Sequence, residues 1–338
     1  MNQEKSKLFI GFITYGKSSA KYLPYFLTSL KIQSFQNYKI LAIDATEMAD
    51  DNLQIIKKNP EIEIISTGVN FGFAKGFNLL IGEAKKQGAE LFLALNCDMI
   101  FESGMIEKLI CAINVDDKIA AVQPKILKWD FENNKKTEII DSYGLAIDKM
   151  HRFFDDGQGT VDKQGFDKSR EIFGFTGAAV LLNLKALEDV RYENEYFDEL
   201  MFMYKEDCDL SYRLRLAGWK ILLEPRAVAY HDRTADIGGQ GLFKVGLNRK
   251  KKNSQLKKWS FLNNLILLYK IKNLPFSFKV KIYTCYYLLG SIVFALIFEN
   301  YLMKEFSNFK KIKSGVINKR KILKVAVDMK VIEKFMKV

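Results

Sequence analysis

The sequence predicts an α/β fold: a mostly parallel central sheet with helices on both faces, followed by a basic, largely helical C-terminal extension. Three observations carry that expectation. Over the first 125 residues, short β-type apolar runs alternate with stretches of helical period. The 338 residues suffice for one large domain or two of ordinary size. The charge divides sharply, with 22 Lys and Arg against 4 Asp and Glu from Gly241 onward, and 30 against 36 before it. An acidic body with a basic tail is expected where the tail meets an anionic surface.

The β-type runs are Leu8–Thr14, Tyr38–Asp44, Ile62–Ser66, Ala89–Leu95 and Ile119–Gln123. Between them lie helical stretches at Tyr22–Gln33, Met48–Lys58, Lys75–Gln87 and Gly104–Asn114. Ligands of such sheets bind at the carboxyl ends of the strands. Those ends carry Thr14, Tyr15, Asp44, Asn70, Asn96 and Asp98. From Lys128 to Arg170 the alternation gives way to a polar stretch read as long loops or an irregular hairpin. A strand is expected at Ile172–Leu182, a helix at Tyr204–Ala217 closed by Gly218, and a further strand at Trp219–Leu223. The composition changes at Gly241, which sets the boundary between a body of residues 1–240 and an extension of residues 241–338.

Composition excludes several classes. Hydrophobic residues are 48% and charged residues 27%, as in a folded globular chain. The four cysteines form no CxxC pair and read as reduced thiols. No cleavable signal peptide is expected, because the apolar stretch from Leu8 stops at Gly16-Lys17. The uncharged run Ile282–Phe298 would span about 26 Å as a helix, short of a bilayer core of about 30 Å, and is read as buried or interfacial rather than spanning.

Five motifs carry candidate chemistry. Gly11 to Ser18 satisfies GxxxxGK[ST], but Phe12 to Tyr15 continue the strand, so the phosphate-loop match reads as accidental. Asn70-Phe-Gly72-Phe73-Ala-Lys-Gly-Phe-Asn78 opens a helix after a strand, where glycines admit a ligand to the backbone and a helix start favours anions. Asn96-Cys-Asp98 ends a strand, and its carboxylate could hold a divalent cation, although a lone Asp there is more often a cap. Glu206, Asp207 and Asp209 crowd three carboxylates into four residues. Spacing pairs Asp209 with Arg213 on a helix surface, leaving Asp207 to face a cleft. His231, just after a strand, could ligate a metal, whereas His151 reads as a surface residue.

In this order the pieces resemble glycosyltransferase family 2, the inverting GT-A enzymes, and especially their bacterial rhamnosyltransferase-like branch. The matching segments are FITYG at 12–16, AID at 42–44, NFGFAKGFN at 70–78, LNCD at 95–98, GFTGAAVLL at 174–182, FDELMFMYKEDCDLSYRLRLAGW at 197–219 and AYH at 229–231, about two thirds of the chain. The resemblance implies a GT-A fold and a sugar transfer from a nucleotide-diphosphate sugar, such as dTDP-rhamnose or a UDP-sugar, to a glycan or lipid-linked acceptor in cell-surface polysaccharide synthesis. It implies that Thr14, Tyr15, Asp44, Asn70, Gly72, Phe73 and Asn78 surround the nucleotide sugar. Asp98 would match the last Asp of the family's DxD motif and bind Mg²⁺ or Mn²⁺, with Asn96 in place of the first Asp. Asp207 would be the general base, and His231 would join the metal or diphosphate.

The same resemblance implies a cytoplasmic protein peripheral on the inner face of the membrane. Eleven Lys and Arg with no acid in 241–298 would attract anionic lipid, and the stripe Phe261, Leu262, Leu265, Leu268 and Tyr269 beside Trp259 would enter the interface. No nucleic-acid partner is expected. The competing readings are a phosphate-loop NTPase acting through Lys17 and a catalytically inactive relative that binds membrane or nucleic acid.

Overall fold

A computed structural model of the chain describes residues 7–47, 51–163, 168–233 and 253–337. The expected boundary at 240/241 and the expected helix start at Met48 lie outside the described residues. The body begins with β1 (Leu8–Thr14), α1 (Lys17–Ala20), α2 (Leu23–Lys31), β2 (Tyr38–Asp44), α3 (Asp51–Lys57), β3 (Ile62–Thr67), α4 (Gly72–Lys86) and β4 (Leu91–Asn96). It continues through β5 (Met99–Phe101), α5 (Met105–Ile113), β6 (Ile119–Asp130), β7 (Lys135–Ser142), β8 (Leu145–Asp148), β9 (Phe153–Asp155) and β10 (Arg170–Glu171). It closes with β11 (Ala179–Asn183), α6 (Leu184–Val190), α7 (Glu206–Leu216) and β12 (Lys220–His231).

The main sheet runs β10-β12-β6-β11-β4-β1-β2-β3, with β5 on β12 and β7 on β6. Strands β4, β1, β2 and β3 are parallel, and β1 is nearly continuous in apolar residues because both faces of the sheet are covered. Two cores fill those faces. Gly11 sits in mid-strand, and a Cβ there would lie 2.2 Å from the Phe92 ring. The first half of the Gly11–Ser18 match, Gly11 to Thr14, is therefore strand packed against its neighbour, and only Tyr15 and Gly16 separate it from α1.

Several expectations need correction. Strand β11 runs antiparallel to both β4 and β6, so the sheet is mixed beyond its first half. In the stretch 128–170, read as long loops or an irregular hairpin, the hairpin forms, β6 pairing with β7 through register shifts, and β8 pairs antiparallel with β9 in place of loops. Residues 172–178 form a buried irregular segment and only Ala179–Asn183 is strand. Strand β12 continues from Lys220 to His231, well past Leu223. His151 is buried, with Nδ1 2.9 Å from the Thr284 hydroxyl and Nε2 3.1 Å from that of Tyr212.

The carboxy-terminal part comprises α8 (Ser254–Ile271), α9 (Phe278–Phe298), a 3₁₀ turn (Asn300–Met303), α10 (Lys304–Lys321), α11 (Met329–Glu333) and β13 (Met336–Lys337). It shares a third core with the body: Ile266, Leu267, Ile271, Val316 and Ile332 pack with Ile147, Phe173, Met201, Tyr212 and Leu216. Strand β13 pairs with β8, Met336 opposite Ile147. The stripe expected at a membrane interface is turned inward, with Leu265 and Leu268 buried. The outward apolar surface belongs to α9. That helix has 21 residues, about 31 Å at about 1.5 Å each. It is apolar enough to cross a membrane by length and composition. It is not buried: of its residues only Val280 and Ala295 are.

Candidate active site

The carboxyl ends of β1, β2 and β4 meet the ends of β7 and β12 at one edge of the sheet. Thr14, at the end of β1, donates its hydroxyl to Asp44 Oδ1 at 2.9 Å, and Thr46 donates to the same oxygen at 2.9 Å. The Gly16 N–H in turn donates to the Thr46 hydroxyl at 3.0 Å. The loops after β1 and β2 are thereby tied together around Asp44, and the Tyr15 ring stands 55% exposed above them.

In the second loop, Asn70 Oδ1 accepts from the Gly72 N–H at 3.0 Å. Gly72 has φ +71°, and a Cβ there would meet the Phe202 carbonyl at 2.3 Å. Glycine is required on both counts. The Phe73 ring packs tilted against Phe77 and edge-on against Phe197. Asn78 does not face a pocket: its side chain donates to the Phe197 carbonyl and accepts from the Tyr196 and Phe197 N–H groups. It holds the approach to the 197–205 loop.

Asp98 lies just before β5, whose Met99 pairs with His231 at the end of β12. The Asp232 N–H donates to the Asp98 carbonyl at 3.0 Å, closing that corner. His231 Nε2 consequently stands 3.2 Å from Asp98 Oδ1, and its Nδ1 2.8 Å from Asp141 Oδ2. Burial alone would lower the imidazole, but the Asp98 charge and the hydrogen bonds to Asp141 and Asp98 raise it to about 10. Burial would raise Asp141, yet His231 and then Arg233 hold its carboxyl below the usual range. Arg233 also pairs with Asp155 at 2.7 Å. Asn96 donates its backbone N–H to the Ala178 carbonyl at 2.8 Å and is partly exposed beside this group.

Asp207, in the first turn of α7, accepts from the Gly177 N–H at 3.0 Å and from the Cys208 N–H at 2.7 Å. It remains partly exposed. A Cβ on Gly177 would lie 2.8 Å from the Phe73 ring, so the GFTG segment is held between Phe73 and Asp207. The Asp209–Arg213 pair forms at 2.8 Å as expected, but it is buried rather than on a helix surface. Glu206 is buried with Oε2 unpartnered, and burial and then the Asp207 charge push its carboxyl well above the usual range. The fold thus brings Asp98 and His231 together, and Phe73 close to Asp207 through Gly177.

Asp141, Asp155, Arg233 and the Tyr22–Asp232 hydrogen bond of 2.6 Å were not legible as site residues. Asp141 sits in a segment with no periodicity, and its partner is 90 residues away. The one available signal was the Asp232-Arg233 pair directly after His231.

The mixed sheet thus carries a carboxylate and a histidine where β5 meets the end of β12, and a second, partly exposed carboxylate in the first turn of α7, on the α/β architecture of the GT-A glycosyltransferases. Residues 10–189, more than half of the chain, match the family model described as "Glycosyl transferase family 2". The chain belongs to that family. It is 24% identical over 241 residues to N-acetylglucosaminyl-diphospho-decaprenol L-rhamnosyltransferase of Mycobacterium tuberculosis, covering 67% of this chain and 76% of the relative. Among solved structures it is similar to S. aureus TarS 1-349 in complex with UDP, with a TM-score of 0.51 and 16% identity over 87% of this chain and 73% of that one. It is also similar to GalNAc-T7 with UDP, GalNAc and Mn²⁺, with a TM-score of 0.56 and 13% identity. That match covers 86% of this chain and 57% of the other.

Proposed function

We propose that this glycosyltransferase moves a sugar, with inversion, from a nucleotide-diphosphate sugar to a hydroxyl of a lipid-linked acceptor. The observation that carries the reading is His231 Nε2 at 3.2 Å from Asp98 with Nδ1 tied to Asp141. The ring is held protonated between the two carboxylates, and a divalent cation would take the place of the Nε2 proton between His231 and Asp98. A carboxylate and a histidine whose far nitrogen rests on a second carboxylate are a donor set suited to a divalent cation. Among the described residues no cluster of three or more His, Cys, Asp and Glu side chains forms a metal site. The pair is therefore an open donor set that oxygens of a diphosphate would complete. Asp98 and His231 would hold Mg²⁺ or Mn²⁺, whose chemistry is to offset charge on the departing diphosphate.

Thr14, Tyr15, Asp44, Asn70, Gly72, Phe73 and Asn96 border the donor side in this reading, and Asn78 acts behind them by fixing the 197–205 loop. Asp207 takes the proton of the attacking hydroxyl. A single base and a single displacement invert the anomeric carbon, and no second nucleophile is needed. The M. tuberculosis relative, by its name an L-rhamnosyltransferase acting on N-acetylglucosaminyl-diphospho-decaprenol, supports an L-rhamnosyl donor, with dTDP-rhamnose as the candidate, and an N-acetylglucosaminyl-diphospho-polyprenol acceptor.

In the same reading the protein sits peripherally on an anionic membrane surface, on the cytoplasmic side. The exposed face of α9, which includes Ile282, Tyr286, Leu289, Val293 and Ile297, supports this. The opposite face carries Val280, Thr284, Tyr287 and Leu288 against the body, so the helix lies along the protein rather than leaving it.

The test is calorimetry of dTDP-rhamnose binding with and without Mn²⁺. Asp98→Ala should remove the Mn²⁺-dependent part of binding while the protein stays folded. Undiminished Mn²⁺-dependent binding in that variant would remove the metal assignment.

A further inference from the structure

Between Asp198 and α7 the chain passes through a loop that ends in two consecutive left-handed residues, Tyr204 at φ +72° and Lys205 at φ +68°. Neither is glycine, so the turn persists only where its surroundings hold it. Lys205 is also the residue that caps α7, and its side chain makes no capping hydrogen bond. On one side the loop meets the donor loop: the Phe73 N–H donates to the Phe202 carbonyl at 2.9 Å. On the other side it meets α8. Asn263, 1% exposed, donates its amide to the Met203 carbonyl at 2.8 Å and to the Tyr204 carbonyl at 2.6 Å. The Trp259 ring packs 5.0 Å from that of Phe202.

Helix α8 is itself anchored to α7. Lys270, 2% exposed, pairs with Asp198 and, at 2.5 Å, with Asp209, two residues along from Asp207. Asp209 holds Arg213 with its other oxygen. A buried lysine between two buried carboxylates has no role in solubility. Its effect is to fix the distance between α8 and the start of α7, so that Asn263 meets the turn in one position.

From this we infer that Asn263, with Lys270 behind it, is a positioning residue for the reaction: α8 clamps the left-handed Tyr204–Lys205 turn and thereby aims Asp207. The inference rests on the reading of Asp207 as the base. It goes beyond that reading by making the carboxy-terminal region a working part of the active site. Displacing a reacting group by about 1 Å can cost about 10²-fold in rate. Asn263→Ala leaves both carbonyls without their donor and lets the turn relax. It should lower kcat for transfer from dTDP-rhamnose to an N-acetylglucosaminyl-diphospho-polyprenol by about 10–10²-fold, with donor affinity unchanged.

The decisive readout is rescue. Glycine adopts positive φ without the side-chain penalty. Adding Lys205→Gly to Asn263→Ala should therefore restore most of the lost kcat, and amide exchange over 203–209, faster in the single variant, should slow again. A residue with a purely structural role would instead lower the melting temperature and donor affinity together, with no recovery on adding glycine, and that result overturns the inference. Wild-type kcat in folded Asn263→Ala also overturns it. If Asn263→Ala alone does not fold, the double variant decides: folded with near wild-type turnover supports the clamp, folded without turnover overturns it. Asp207→Asn separates the two claims. Wild-type turnover there removes the base assignment, while Asn263→Ala and its glycine rescue still score the clamp.

Discussion

Asp207 and Glu206 are neighbours with opposite environments. Asp207 accepts two backbone N–H groups and keeps access to solvent, whereas Glu206 is buried with one oxygen unpartnered. Asp207→Asn keeps the shape but cannot take a proton, so turnover should fall roughly 10²–10⁴-fold with donor binding nearly unchanged. Full activity in that variant would remove the base assignment, and Asp209 could not inherit the role, because it is buried with one oxygen on Arg213 and the other on Lys270. Glu206 makes a different prediction. Unfolded, it ionises near pH 4.5, whereas in the fold burial, and then the Asp207 charge, keep the proton on to well above that. Above about pH 4.5 the unfolded chain sheds a proton that the native chain retains, so native stability falls as pH rises. Glu206→Gln is neutral throughout. Its stability margin over wild type should be near zero at pH 4.5 and grow towards pH 8. Denaturant melts with a margin independent of pH would contradict this.

At the scale of the element, α9 carries two different faces. Thr284 accepts or donates to buried His151, whose imidazole burial lowers to about 4, so a neutral ring joins α9 to Tyr212 of α7. The other face is uncharged from Ile282 to Phe298, with Lys279 and Lys281 exposed at its start. The two acids that follow, Glu299 and Glu305, are buried, and Glu299 pairs with Lys257. Exposed charge on this side is therefore basic. Each lysine near an anionic bilayer contributes about 1 kcal/mol, so replacing Lys279 and Lys281 by Gln should weaken binding to phosphatidylglycerol vesicles about 30-fold at low salt. Leu289→Asp with Val293→Asp should weaken it further at any salt, because it places charge in the apolar layer. Vesicle co-sedimentation unchanged by both pairs would exclude α9 as the contact.

For the whole molecule, the basic region is bound into the fold it follows in sequence. Ile266, Leu267, Ile271, Val316 and Ile332 belong to the third core, and burying each aliphatic side chain contributes about 1.5–3 kcal/mol. A domain's net stability is only about 5–15 kcal/mol. Cutting before Asn253 also strips the buried Asp198 of both Lys270 and Lys319, while Asp209 keeps only Arg213. A fragment of residues 1–252 should therefore show no cooperative thermal unfolding and no near-UV signal of a packed core. A sharp transition in that fragment would show that the body stands alone.

The sequence by itself determined the alternating half of the sheet, because strands buried on both faces are written as apolar runs and their helices as periodic stripes. It also determined which carboxylates stood at strand ends and which pair, Asp209 and Arg213, would meet on one helix, since both follow from local spacing. Only the tertiary structure decided the rest. Asp141 meets His231 across 90 residues, and no local period encodes that approach. His151 looked exposed because its loop is polar, yet two helices close over it. The stripe at 261–269 and the face at 282–298 are both apolar. Composition cannot tell which of two apolar helices turns inward; that depended on Asn263 and Lys270 finding carbonyls and carboxylates in the body, which drew α8 in and left α9 outside.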